Sequence, residues 1–160
     1  MQDIQVIKHN QQFQFQLVPI RADGTLGGRA IHLEPDTQQF CRAMAALYRK
    51  VGFEPPWLGY VAVDGNFAVG GGAFVGPPAD NRIEIAYYTD PAQRGRGYAT
   101  LTAKHLLGIA RDTAPQVELS AKTEPQPNAS TKILTDLGFT KIGSTADEEI
   151  GEAWLWLLKL

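Results

Sequence analysis

Eleven residues, DPAQRGRGYAT from Asp90 to Thr100, place two glycines and two arginines between an apolar run, RIEIAYY, and a helix-like run, LTAKHLLGIAR. A strand that feeds a helix through a glycine-rich turn aims free backbone N–H groups at one spot. The helix dipole adds partial positive charge there, so phosphate is the natural ligand. Gly95 and Gly97 let a diphosphate approach the main chain with no Cβ in the way, and Arg94 and Arg96 can supply charge. The competing reading is a positively charged loop that simply starts a helix. Two common phosphate motifs do not fit. The stretch has no lysine of the GxxxxGK type, and a dinucleotide fingerprint would need its third glycine where Thr100 stands.

Other residues invite chemistry. Glu84 lies inside an apolar strand, where propensity disfavours it. Burial makes a carboxylate more basic, which suits proton removal, directly or through a water. The alternative is a strand glutamate that faces solvent or pairs with Arg82. Asn128 and Ser130 open a short helix, where both residue types are ordinary caps. Tyr87, Tyr88 and Tyr98 surround the turn and can line a groove or fill the core. Trp57, Trp154 and Trp156 read as core. His9, His32 and His105 are scattered without metal-ligand spacing, so no metal is expected. Cys41 reads as a buried, inert thiol, and the acidic run DEEIGE as a solvated turn.

The elements that must position these residues follow from periodicity. FQFQL, from Phe13 to Leu17, alternates like a half-buried strand. PDTQQFCRAMAALYRKVG reads as a helix with Asp36 as N-cap, Gln39 three residues on, and Gly52 as its stop. Phe40, Met44, Leu47, Tyr48 and Val51 form its expected apolar face. Two strands surround the turn at Asp64, Gly65 and Asn66. The second carries the triplet Gly70, Gly71 and Gly72, a signal for a bulge or a close backbone approach. The strand holding Glu84 comes next, then the helix after the turn, with Ala99, Ala103, Leu106, Leu107 and Ala110 on one face. QVELSA is a strand, NASTKILTDLGF a short helix stopped at Gly138, and the last two strands flank the acidic link. The order is strand, helix, three strands, helix, strand, helix, two strands, a mixed α/β (α+β) plan around one sheet.

Arg94, Gly97 and Ala99 make R-x-x-G-x-A, which resembles the acyl-CoA pyrophosphate loop of the GNAT superfamily of N-acetyltransferases. EIAYYTDPAQRGRGYAT and TEPQPNASTKILTDLGF are similar to two segments of its RimJ/RimL-like branch, related to ribosomal-protein N-terminal acetyltransferases. EEIGEAWLWLL resembles that branch's final strand. The match covers roughly Trp57 to Leu160. It implies one domain over residues 1–160 with a central, twisted, mostly antiparallel sheet of about seven strands. That sheet would be splayed between its fourth and fifth strands and flanked by three or four helices. Acetyl-CoA would lie in the splay. Its diphosphate would meet Arg94, Gly95, Arg96, Gly97, Tyr98, Ala99 and Thr100, and its pantetheine arm Tyr87, Tyr88 and Thr89. Asn128 and Ser130 would touch the cofactor and Glu84 would be the base; the family's usual tyrosine acid is missing, so either Ser130 would stand in for it or the thiolate would leave without a dedicated acid. A backbone N–H near Ala86 or Tyr87 would hold the carbonyl oxygen. Asn128 stands two residues before the serine rather than three, and Pro127 occupies the family's usual place. The resemblance implies an N-acetyltransferase acting on a primary amine: a protein N-terminus, an amino acid, a polyamine or a small molecule. The second function class is a non-catalytic acyl-CoA-binding module, and the third another nucleotide binder. A homodimer is a family habit.

Totals bound the rest. At 160 residues with 44% hydrophobic content, the chain suits one domain with a real core. Its formal net charge of -2 argues against a nucleic-acid or membrane-surface binder. One cysteine excludes an intramolecular disulfide, which fits a reducing, cytoplasmic setting. Neither a charged-then-apolar leader nor an apolar run of membrane-spanning length is evident in the sequence.

Overall fold

The structure, a computed structural model, describes residues 14–160. Phe13 and His9 lie outside the described residues. In chain order the elements are strand β1 (Phe15–Pro19), helix α1 (Pro35–Val51), strands β2 (Gly59–Asp64), β3 (Phe67–Phe74) and β4 (Arg82–Thr89), and a 3-10 turn (Pro91–Gln93). Helix α2 (Tyr98–Thr113), strand β5 (Glu118–Thr123), helix α3 (Ala129–Asp136) and strands β6 (Thr140–Asp147) and β7 (Gly151–Lys159) follow. This is the element order read from the sequence. The strands form one seven-stranded sheet, β1-β2-β3-β4-β5-β7-β6. Every neighbouring pair is antiparallel except β4 and β5.

Helix α1 differs from expectation at its start. Its N-cap is Glu34, which makes no side-chain cap bond, and Pro35 occupies the first turn. Proline lacks the N–H that a first turn leaves unpaired, and its fixed φ suits that position. The start therefore moves upstream, and Asp36 becomes a first-turn carboxylate at the positive end of the dipole. The buried stripe is Thr37, Cys41, Met44, Ala45 and Tyr48. Phe40 and Leu47 pack partly buried beside it, while Val51 is exposed. Gly52 ends the helix, its N–H donating to the Tyr48 carbonyl.

The glycine triplet marks both a bulge and a close approach. Ala62 faces Gly70 while Val63 faces Ala68, which leaves Val69 as the extra residue in β3. A Cβ on Gly70 would collide with the Tyr88 carbonyl of β4. On Gly71 it would lie 2.5 Å from the Phe40 ring of α1, and on Gly72 2.6 Å from the Thr102 methyl of α2. Missing side chains thus let a helix sit close on each face of the sheet. The two contacts also sort the faces: Gly71 and its partner Tyr88 look toward α1, Gly72 and its partner Tyr87 toward α2.

Phe74, Ile20, Ile85, Leu106 and Leu119 are fully buried between these layers. Each contributes about 1.5–3 kcal/mol of hydrophobic stabilisation. Trp156 is buried, and its Nε1–H donates to the Thr123 hydroxyl at 3.0 Å. Trp57 and Trp154 pack partly buried against the same core, with the Lys141 ammonium 3.8 Å from the Trp154 ring centroid. Cys41 is buried and free, and burial pushes its thiol pKa up.

Replacing Gly70 by alanine forces β3 away from β4. The expected loss is about 3 kcal/mol of stability, read as a lower urea midpoint by circular dichroism. An unchanged midpoint would show that the strands have slack at this position.

Candidate functional site

Strands β4 and β5 pair over only three positions: Arg82 with Glu118, Ile83 with Leu119, and Glu84 with Ser120. Beyond Glu84 they diverge. The other side of β4 is fully engaged: the Val75 N–H donates to the Glu84 carbonyl, and the Asp90 N–H to the Val69 carbonyl. Antiparallel strands alternate the side to which backbone groups point. Ala86 and Tyr88 therefore bond to β3, while the N–H and C=O of Tyr87 and Thr89 point across the splay. Of the two backbone donors considered from sequence, Tyr87 faces the opening and Ala86 does not.

The splay widens into a cleft of about 610 Å³. Tyr87, Tyr88, Thr89, Arg94, Gly95, Gly97, Tyr98, Ala99, Thr100, Asn128 and Ser130 all line it. So do Asp36, Gln93 and Ile133, which sequence reasoning did not assign to a site. Two expected residues stand elsewhere. Arg96 lines a neighbouring hollow with Asp64, Phe67 and Tyr98. Glu84 lies at the last paired position of β4, outside the cleft lining.

The turn is held by chemistry local to it. Gly95 and Gly97 adopt φ of +79° and +84°, and a Cβ at either would meet nothing within 4 Å. Backbone conformation, not crowding, is what selects glycine there. Gly97 is the N-cap of α2, and the Gly97 carbonyl accepts from the Leu101 N–H. The Tyr98 hydroxyl donates to the Asp64 carboxylate at 2.6 Å, and its ring stacks on Phe15 at 6.1 Å. The Asp64 bond is also the main reason that the Tyr98 pKa rises. One tyrosine thus ties the first turn of α2 to the β2–β3 hairpin and to β1.

Tyr87 is the unusual wall residue. Its hydroxyl is buried with no hydrogen-bond partner, and burial pushes its pKa well up. It stays a neutral donor at working pH. Tyr88 is satisfied: its hydroxyl lies 2.7 Å from that of Thr37, and burial lifts its pKa to about 12.

Glu84 has an ion partner that the sequence did not suggest. Its carboxylate is 3.5 Å from the Lys122 ammonium of β5, and Lys122 also lies 3.9 Å from Asp147. Arg82, the expected partner, instead bonds Glu118 at 3.2 Å. Both pairings follow from the parallel β4–β5 register, which no local pattern announces. Strand alternation puts Glu84 on the α1 face with Tyr88, and Tyr87 on the α2 face. Asp147 opens the acidic turn, where its carboxylate accepts the Glu149 and Ile150 N–H groups and is held below its ordinary pKa chiefly by the first.

Asn128 is the N-cap of α3. Its Oδ1 accepts from the Thr131 N–H at 3.0 Å, and the Asn128 N–H donates to the Thr131 hydroxyl at 2.9 Å. Ser130 is in the first turn of α3, on the cleft wall.

An acyl-CoA fits these features. The open αL turn presents its amides without side-chain cover, Arg94 adds charge, and the edge of β4 offers unpaired backbone groups. Among the described residues no cluster of potential metal ligands forms, and no helix is long and apolar enough to cross a membrane.

The model of the acetyltransferase (GNAT) domain family matches residues 17–140. The uncharacterized N-acetyltransferase YjdG of Bacillus subtilis is 30% identical over 109 residues, covering 68% of this chain and 62% of that protein. The chain therefore spans about three fifths of that relative's length. Among solved structures, a ribosomal-protein-S5-alanine acetyltransferase from Vibrio fischeri superposes with a TM-score of 0.66 at 14% identity, over 91% of this chain and 93% of its own. The ribosomal L7/L12 alpha-N-protein acetyltransferase RimL, solved with coenzyme A, gives 0.67 at 12% identity over 92% and 94%. The yncA protein of Salmonella typhimurium, solved with its cofactor acetyl-CoA, gives 0.63 at 19% over 92% and 94%. At these identities the structures share the fold.

Exchanging Asn128 for alanine removes the cap of α3 while sparing the strands. The expected cost is about 1 kcal/mol, measured by urea unfolding. A loss within error of zero would mean that the reciprocal Thr131 bond holds the helix start alone.

Proposed function

The chain belongs to the acetyltransferase (GNAT) domain family, and on that premise we propose that it transfers an acetyl group from acetyl-CoA to a primary amine. The observation that carries this reading is the abrupt end of β4–β5 pairing at Glu84 and Ser120. It opens a cleft that has an anion-binding turn at one end and unpaired strand backbone along one wall. We assign the chain to the RimJ/RimL-like branch, supported by the sequence segments and by the shared fold of the two ribosomal-protein acetyltransferases. The acceptor we propose is a protein N-terminus, an amino acid, a polyamine or another small-molecule amine. We further propose a cytoplasmic, metal-free enzyme that works as a monomer or a homodimer.

Bound acetyl-CoA supplies an activated thioester. The amides of Arg94 to Ala99, the positive end of α2 and the Arg94 guanidinium hold its diphosphate. Arg96 assists only from the outer side of the turn. The outward backbone of Tyr87 and Thr89 holds the pantetheine arm as an added strand would. The Tyr87 N–H is placed to donate to the thioester oxygen as charge builds on it. Positioning of two substrates supplies much of the rate.

Glu84 accepts the amine's proton. Because it stands on the α1 face and off the cleft wall, it acts through a water, and the acceptor approaches from that face. Lys122 keeps the Glu84 carboxylate oriented. Ser130 serves the departing sulfur from the α3 side, and Asn128 contributes through the start of α3 that it caps. The position of Glu84 beside Lys122 also favours the second reading, a binding module without turnover.

A CoA-release assay over a panel of primary amines separates these. Glu84→Gln should lower kcat about 100-fold with acetyl-CoA affinity unchanged. Gly97→Val should abolish the calorimetric heat of coenzyme A binding while leaving the circular dichroism spectrum intact. Binding without release by any amine would support the module. No heat with the unaltered chain would overturn both readings.

A further inference from the structure

A second cavity, of about 340 Å³, shares Asp36, Pro91 and Gln93 with the cleft. Three carboxylates line it, those of Glu34, Asp36 and Asp90, against apolar surface from Pro35, Phe67 and Ala68. Glu34 and Asp36 flank the first turn of α1. A helix N-terminus carries only about half a positive charge. One carboxylate offsets that, and three exceed it. His32 meets one of the three, its Nε2 lying 3.0 Å from Glu34 Oε1.

Asp90 supplies an independent sign of a missing partner. The residue is only 3% exposed. Its Oδ1 accepts the Thr37 hydroxyl at 3.1 Å, but its Oδ2 is buried with no hydrogen-bond partner. A buried carboxylate oxygen left unpaired is destabilising. Burial raises the Asp90 pKa, and the charges of Asp36 and Glu34 push it the same way. A cation in the cavity pairs the oxygen and offsets the charges of Asp36 and Glu34. Phe67 supports the same ligand: it is 68% exposed although it begins a central strand, and an aromatic face attracts cations.

We propose that this cavity binds a small primary alkylammonium ion, at a place distinct from where the acetyl group is transferred. Its N–H groups donate to Asp90 Oδ2 and to the Asp36 carboxylate, and its alkyl body packs on Pro35, Phe67 and Ala68. A cation that carries N–H groups is needed because Asp90 Oδ2 lacks a donor, and charge alone does not provide one; a primary ammonium is the smallest alkyl cation that does. The site stands whether or not the chain transfers an acyl group.

The test uses the full chain without coenzyme A. Amide NMR shifts are followed during titration with n-butylammonium chloride at constant ionic strength. Saturable shifts are expected at Ala68, Ala92 and Gln93, with millimolar affinity. The uncharged isostere n-butanol should give none, and tetramethylammonium, which has no N–H, should bind about 10-fold more weakly. Asp90→Asn can disturb folding through Thr37, so the deciding variant is Glu34→Gln with Asp36→Asn, which alters only exposed carboxylates. It should weaken n-butylammonium about 10-fold or more. Three results would overturn the site: absence of saturable shifts, equal shifts with n-butanol, or unchanged affinity in the double variant. Equal affinity for tetramethylammonium would overturn the Asp90 contact.

Discussion

A strand has two edges, and the backbone groups on both need partners. β4 meets this requirement fully on the β3 side, but for only three registered pairs on the β5 side. Past Glu84 its outward N–H and C=O groups are tolerable only because the splay is open to water or to a ligand. A sheet closed at this point would have no cleft. A sheet open along the whole seam would lose the register that fixes Lys122 against Glu84. The short parallel ladder therefore sets the width of the site, the side on which each residue of β4 appears, and the place where chemistry can occur.

The remaining structure holds that seam at a fixed opening. Three consecutive glycines let α1 and α2 approach β3 from opposite faces, so the end of β4 is gripped from both sides. Tyr98 then fixes the first turn of α2 by a short bond to Asp64 and a stack on Phe15. Charge is sorted across the same junction. Arg94 looks into the cleft, while Glu34 and Asp90 line only the cavity behind the 3-10 turn and Asp36 borders both. A diphosphate and an acidic pocket can be neighbours because the 3-10 turn, Pro91–Gln93, stands between them.

Most of the architecture was legible in the sequence because periodicity and punctuation agreed. The apolar stripes of α1 and α2, the stops at Gly52 and Gly138 and the glycine triplet each carried a local signal. The start of α1 was misread because Asp36 looks like a cap, while Pro35 decides the geometry. The site was legible where it is local. Most of the turn from Pro91 to Thr100, with Tyr87 to Thr89 and Asn128 to Ser130 from the two segments that resemble known motifs, lines one cleft. What the sequence did not reveal depends on non-local register. Glu84 meets Lys122 and Arg82 meets Glu118 across a crossover of more than thirty residues. Asp90 accepts the hydroxyl of Thr37, 53 positions away. The turn of Arg96 toward Asp64 arises in the same way, from a hairpin that packs on the turn from elsewhere in the chain.

The strand order β5-β7-β6 has a consequence for how the chain is made. β7 lies between two strands synthesised before it, pairing with β5 on one edge and β6 on the other. A growing chain can assemble the β1-to-β4 meander as it emerges. β5 and β6, however, face a vacant lane until β7 leaves the ribosome, a matter of seconds at ordinary synthesis rates. During that interval the Leu119 and Ala121 surface has no β7 beside it. The second half of the sheet is thus the stretch that a chaperone would have most reason to shield, because its central lane is filled by the strand made last.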